Sequence, residues 1–71
     1  MLKSHTWNIH NSDGTYIGRC TAFAGEIAFI KCMAATGKIV AEADIQVEHI
    51  TEDKEMRITY DSEVFIVTSS Y

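Results

Sequence analysis

Two cysteines and three histidines are the residues of this chain best suited to hold a metal, and their spacing argues against it. Cys20, Cys32, His5, His10 and His49 contain no pair at the two-to-four residue separation of a structural zinc site. On a strand, His5 and His10 point to opposite faces. The cysteines read instead as small apolar residues. A disulfide between them is disfavoured: in a helix starting at Thr21, Cys32 lies about 16 Å along the axis, beyond the roughly 7 Å Cα limit unless the strand doubles back alongside.

Other combinations fare little better. Thr36-Gly37-Lys38 has the end of a phosphate-binding loop, but Cys32 stands where that motif needs its first glycine and Ile39 where it needs Ser or Thr, so a helix C-terminus is the better reading. Nucleophilic catalysis would require a thiol or hydroxyl beside a histidine. His10 and Cys20 can share a face of the first hairpin, yet 71 residues leave little chain to enclose a pocket around them. Neither an enzyme nor a cofactor is expected. Tyr16 with Arg19 and Lys3 is a faint single-stranded nucleic-acid platform. Direct nucleic-acid binding is nevertheless disfavoured by charge. Residues 1–38 carry Lys3, Arg19, Lys31 and Lys38 against Asp13 and Glu26. Residues 39–71 carry Glu42, Asp44, Glu48, Glu52, Asp53, Glu55, Asp61 and Glu63 against Lys54 and Arg57, which makes the second half strongly acidic within a net charge of -4. Such a half repels phosphate and attracts basic protein surfaces.

The elements that must position these residues follow from periodicity. HTWNIHN, from His5 to Asn11, alternates as a half-buried strand. Asn11 to Thr15 suits a three-residue hairpin loop with Gly14 at positive φ, a register that pairs Ile9 with Ile17. A second strand, Tyr16 to Thr21, leads into TAFAGEIAFIKCMAATG, the only segment long and periodic enough for a helix, capped by Thr21 and Gly37. Phe23, Ile27, Ile30 and Ala34 form one apolar stripe expected to face a sheet. The opposite side, with Phe29, Cys32 and Met33, is also apolar, and a helix apolar almost all round is normally covered all round. That back is therefore expected to meet a partner or a second copy of the chain in a homodimer.

Ile39 to Ile50 reads as a long strand with Ala41, Ala43, Ile45 and Val47 inward and Glu42, Asp44, Gln46 and Glu48 outward. Carboxylates recurring about every 6.8 Å there are comparable to every second phosphate of a DNA strand. Thr51 to Lys54 is a loop, Glu55 to Tyr60 a strand, Asp61-Ser62 a tight turn, and Glu63 to Thr68 a final strand. Its Val64-Phe65-Ile66-Val67 run is apolar on both faces and suits the centre of a sheet. The expected fold is a single α+β domain, one helix packed on a mainly antiparallel five-stranded sheet in the order ββαβββ. The first residues lack a signal peptide and no run approaches the ~18 apolar residues of a membrane span, so a cytoplasmic protein without a membrane contact is expected.

WNIHNSDGTYIGRCTA, a short helix ending in ATGK, and three further strands resemble, in element order, small phage and mobile-element proteins of the anti-CRISPR type. The resemblance implies a small non-enzymatic inhibitor that occupies a protein surface which normally handles nucleic acid. The expected function is thus a protein-binding module, with Phe29, Cys32, Met33, Glu42, Asp44 and Glu48 as the partner-binding residues. A self-associating accessory domain is the alternative.

Overall fold

A computed structural model describes residues 4–51 and 54–69. Its element order is β1 (His5–Asn11), β2 (Tyr16–Ala22), α1 (Gly25–Ala35), a 3-10 turn (Glu42–Asp44), β3 (Gln46–Thr51), β4 (Glu55–Tyr60) and β5 (Glu63–Ser69). The five strands form one sheet in the order β2-β1-β5-β4-β3, with every neighbouring pair antiparallel. The expected α+β architecture of one helix on a five-stranded sheet is what the chain adopts.

Each hairpin is set by its turn. In the first, Gly14 takes φ +91°, Gly14 N–H donates to the Asn11 carbonyl at 3.0 Å, and the Asp13 carboxylate accepts from Thr15 N–H at 2.9 Å. That last bond holds the Asp13 carboxyl below its ordinary value of 3.8. The register differs from the expected one: a bulge before His10 pairs Ile9 with Gly18 rather than with Ile17. In the second hairpin, Asp61 and Ser62 both have positive φ, 52° and 66°, the signature of the type I′ turn whose twist matches the flanking strands. β5 occupies the centre, bonded to β1 on one side and β4 on the other, which accounts for its apolar residues on both faces.

Alternation sends Trp7, Ile9, Met56, Ile58, Phe65 and Val67 to one face, where they form the core with the helix. Trp7 buries its ring and donates its indole N–H to the Ala22 carbonyl at 3.0 Å, fastening β1 to the end of β2.

The helix is turned relative to expectation. Its buried residues are Gly25, Ala28, Phe29, Cys32 and Met33, at the i, i+3, i+4, i+7, i+8 spacing of a core face. Phe23 is exposed by 52%, Ala34 is exposed, and Ile27 and Ile30 are only partly buried at the margin. The reason is steric. Large side chains already fill the sheet surface, so the helix presents its small residues to it. A Cβ on Gly25 would come within 2.7 Å of the Met56 sulfur and 3.2 Å of the Trp7 ring. Phe29 reaches deepest, fully buried, its ring 4.9 Å from that of Phe65 and 6.4 Å from that of Tyr60.

The helix also starts later than expected, because Thr21 remains in β2 and the N-cap is Ala24, whose side chain offers no cap. Its end is as expected. Gly37 has φ +94°, with Gly37 N–H donating to the Ala34 carbonyl and Lys38 N–H to that of Met33, the paired bonds of a Schellman motif. Beyond it the chain must travel from one sheet edge to the other, four strand spacings or about 19 Å. Val40 is buried along this crossing and Ile45 packs against the core.

This orientation makes a sharp prediction. Phe29→Ala should destabilise by about 3–5 kcal/mol, most of what so small a domain holds, whereas Phe23→Ala should cost less than about 0.5 kcal/mol. Urea unfolding of the two variants checks it, and the reverse ranking would require the helix to be rotated back.

Candidate interaction surface

The six residues expected to bind a partner fall into two groups. Phe29, Cys32 and Met33 are 0%, 5% and 5% exposed, packed between helix and sheet. They cannot form a contact surface, and the argument for a homodimer through the helix back falls with them. The side of the helix expected to be free is the one that faces the sheet.

Glu42, Asp44 and Glu48 are exposed, but not as a ladder. Glu42 and Asp44 lie in the 3-10 turn, and only Glu48 belongs to β3. The long strand from Ile39 is absent because Ala41 and Ala43 bury too little apolar area to hold an extended chain on the sheet, while the crossing needs a change of direction. The regular 6.8 Å spacing required for phosphate imitation is thereby lost. What remains is an acidic corner joined to a strand.

That strand is the least covered of the five. All six residues of β3 are exposed, and it pairs only with β4, at the sheet edge. Its register opposes Val47 to Ile58 and His49 to Met56, which places Val47 and His49 on the helix side. Glu48, opposite Arg57, lies on the other face. Val47 and Ile50 are 37% and 45% exposed, so the strand offers two apolar contacts, Val47 on the helix side and Ile50 within the bulge near its end. The Arg57 guanidinium donates to Glu48 Oε1 at 3.0 Å, with the side chains 49% and 66% exposed. A bulge between His49 and Thr51 ends the regular pairing.

The helix-free face of the sheet carries the remaining combinations. His10 stacks edge-on with Tyr16, ring centroids 5.4 Å apart, on that face, whereas Cys20, opposite Trp7, faces the helix. His10 and Cys20 are therefore separated by the sheet, contrary to the shared face expected. Arg19 lies on the same side as Tyr16, opposite Asn8; Lys3, the third member of that platform, is outside the described residues, as are Glu52 and Asp53 of the loop before β4. A concavity of about 690 Å³ opens between the two hairpin turns, floored by Val64 and Ile66 and edged by Asp13, Arg57 and Glu63. The neighbouring Asn11 Oδ1 is buried without a hydrogen-bond partner. Among the described residues no three His, Cys, Asp or Glu side chains gather to hold a metal ion, and no helix is long and apolar enough to cross a membrane.

No protein-family model, curated protein or solved structure matches the chain.

The Glu48–Arg57 pair sets an expectation for the fold's dependence on this surface. A double-mutant cycle using Glu48→Gln and Arg57→Gln should give a coupling below about 1 kcal/mol that fades in high salt, because both groups are hydrated. Thermal unfolding at two ionic strengths measures it, and a large salt-insensitive coupling would make the pair structural.

Proposed function

We propose that this chain is a non-enzymatic protein-binding module that takes an extended, basic segment of its partner as a sixth strand along β3. The observation that carries the reading is that β3 is exposed at every position and bonded on one side only. Edge strands are commonly blunted by lysine or proline. β3, QVEHIT, has neither. A strand added there would gain main-chain hydrogen bonds from the free edge, with Val47 and Ile50 as exposed apolar contacts beside it.

Charge selects the partner. Glu42, Asp44 and Glu48 border the edge, and a basic segment would meet them without desolvating a like charge. Basic, extended segments are frequent on proteins that handle nucleic acid, so the sharper form of this reading is an inhibitor that occupies such a surface, as the resemblance to anti-CRISPR proteins implies. Imitation of a phosphate ladder is no part of it.

The partner retained from a host lysate, identified by mass spectrometry, supplies the complex for the test. Amide exchange in residues 46–51 should slow at least tenfold on binding, with β2 unchanged. The triple variant Glu42→Gln, Asp44→Asn, Glu48→Gln should bind at least tenfold more weakly at low salt, with its melting midpoint unaltered. Protection confined to β2 or to the helix-free face, together with unchanged affinity of the variant, would overturn the proposal.

A further inference from the structure

The two cysteines, set apart by sequence spacing, are brought together by the fold. β2 runs out to Ala22, the chain bends through Phe23 and Ala24, and α1 returns over the strand it has just left, with Cα atoms of the two elements within 8 Å of one another. Gly18 and Cys20 are two residues apart on β2 and share its helix-facing side, as their pairing with Ile9 and Trp7 shows. Cys32 projects from the helix onto this pair. Its sulfur lies 2.9 Å from the position a Cβ would take on Gly18, a contact possible only because Gly18 has no side chain. Both cysteines are free thiols. Burial chiefly, and then the adjacent Cys20 thiol, push the Cys32 thiol up from its ordinary value of 9.0.

The two differ in access. Cys32 is sealed at 5% exposure, whereas Cys20 is half-buried and the more exposed of the two. Cys32 thus sits over Gly18 and beside Cys20 across the helix–strand interface, where a bridge would set the two Cα atoms about 4.4–6.8 Å apart.

We propose that Cys20 and Cys32 are an intramolecular disulfide site, closed by a hydroperoxide, that clamps α1 onto β2. In the first step the Cys20 thiolate attacks the terminal peroxide oxygen; the O–O bond breaks, the oxygen is transferred to sulfur as a sulfenic acid, and the other oxygen leaves as water or alcohol after taking a proton. In the second step the Cys32 sulfur attacks the Cys20 sulfur, the S–O bond breaks, and water leaves with the Cys32 proton. Two thiols are oxidised, one peroxide is reduced, and the bond closes the loop from Cys20 to Cys32. This site is independent of the proposed strand-addition edge, which lies at the opposite side of the sheet.

The test uses hydrogen peroxide on the reduced full chain, followed by intact mass measurement and non-reducing peptide mapping. Wild type should lose two hydrogens and yield a peptide joining Cys20 to Cys32, without a cross-linked dimer. Cys32→Ser should instead accumulate a dimedone-trapped sulfenic acid at Cys20, and Cys20→Ser should leave Cys32 unmodified. Oxidised wild type should also unfold less readily than reduced, with an unfolded population lower on the order of a hundredfold and restored by dithiothreitol. The wild-type product decides the matter even if a variant fails to fold. Dimedone-trapped Cys20 as the main wild-type product, or intermolecular disulfides, would overturn the assignment.

Discussion

The structure depends on how closely α1 can approach the sheet. Two glycines set that distance: Gly25, seated against Trp7 and Met56, and Gly18, on which the Cys32 sulfur rests. A methyl group at either place would collide with a neighbour. Once the helix is drawn in at these points, Ala28 is buried, Cys32 rests on β2, Phe29 packs against Phe65 and Tyr60, and the larger Ile27 and Ile30 are left at the margin. The cysteine pair results from the same seating.

Close packing at one end leaves less at the other. The helix lies chiefly over β2, β1 and β5 and reaches β4 through Gly25 at Met56 and Phe29 at Tyr60, while Val40 from the crossing segment joins the core and Ile45 packs against it. β3 lies beyond both, held by β4 alone. In so small a chain the helix is too short to cover five strands, each about 4.8 Å from the next. The uncovered edge is thus a geometric remainder of the fold, and its acidic neighbours give that remainder a chemical character.

The local elements were legible in the residues. Gly14 and Asp61-Ser62 mark both hairpin turns, the alternation of HTWNIHN marks β1, and the doubly apolar run of β5 gives its central place. The rotation of the helix was not legible, because Phe23, Ile27 and Ile30 describe one apolar stripe and Gly25, Ala28, Phe29, Cys32 and Met33 another. Periodicity supports both phases. The signal that distinguishes them is size, since small residues suit close approach to a crowded sheet. Alternation in residues 39–50 likewise permits a strand, and only the path from one edge to the other breaks it into a crossing, a 3-10 turn and β3. For the same reason the meeting of Cys20 and Cys32 could not be read from helix rise alone: it requires the chain to double back at Phe23 and Ala24.

The central seam has a consequence for how the chain reaches this fold. β1 and β5, the first and last strands, pair directly, with Trp7 opposite Ser69. The two hairpins, β1–β2 and β4–β5, contain only local contacts and can form within microseconds, but their union closes the long segment between β1 and β5 into one loop. Folding is therefore limited by a long-range encounter, in the slow regime of high contact order. During synthesis β5 emerges after both of its neighbours, so β1 and β4 each present an unpaired edge until β5 is available. The nascent protein carries its greatest risk of aggregation at that stage, and the strand that ends the risk is the one that also completes the core.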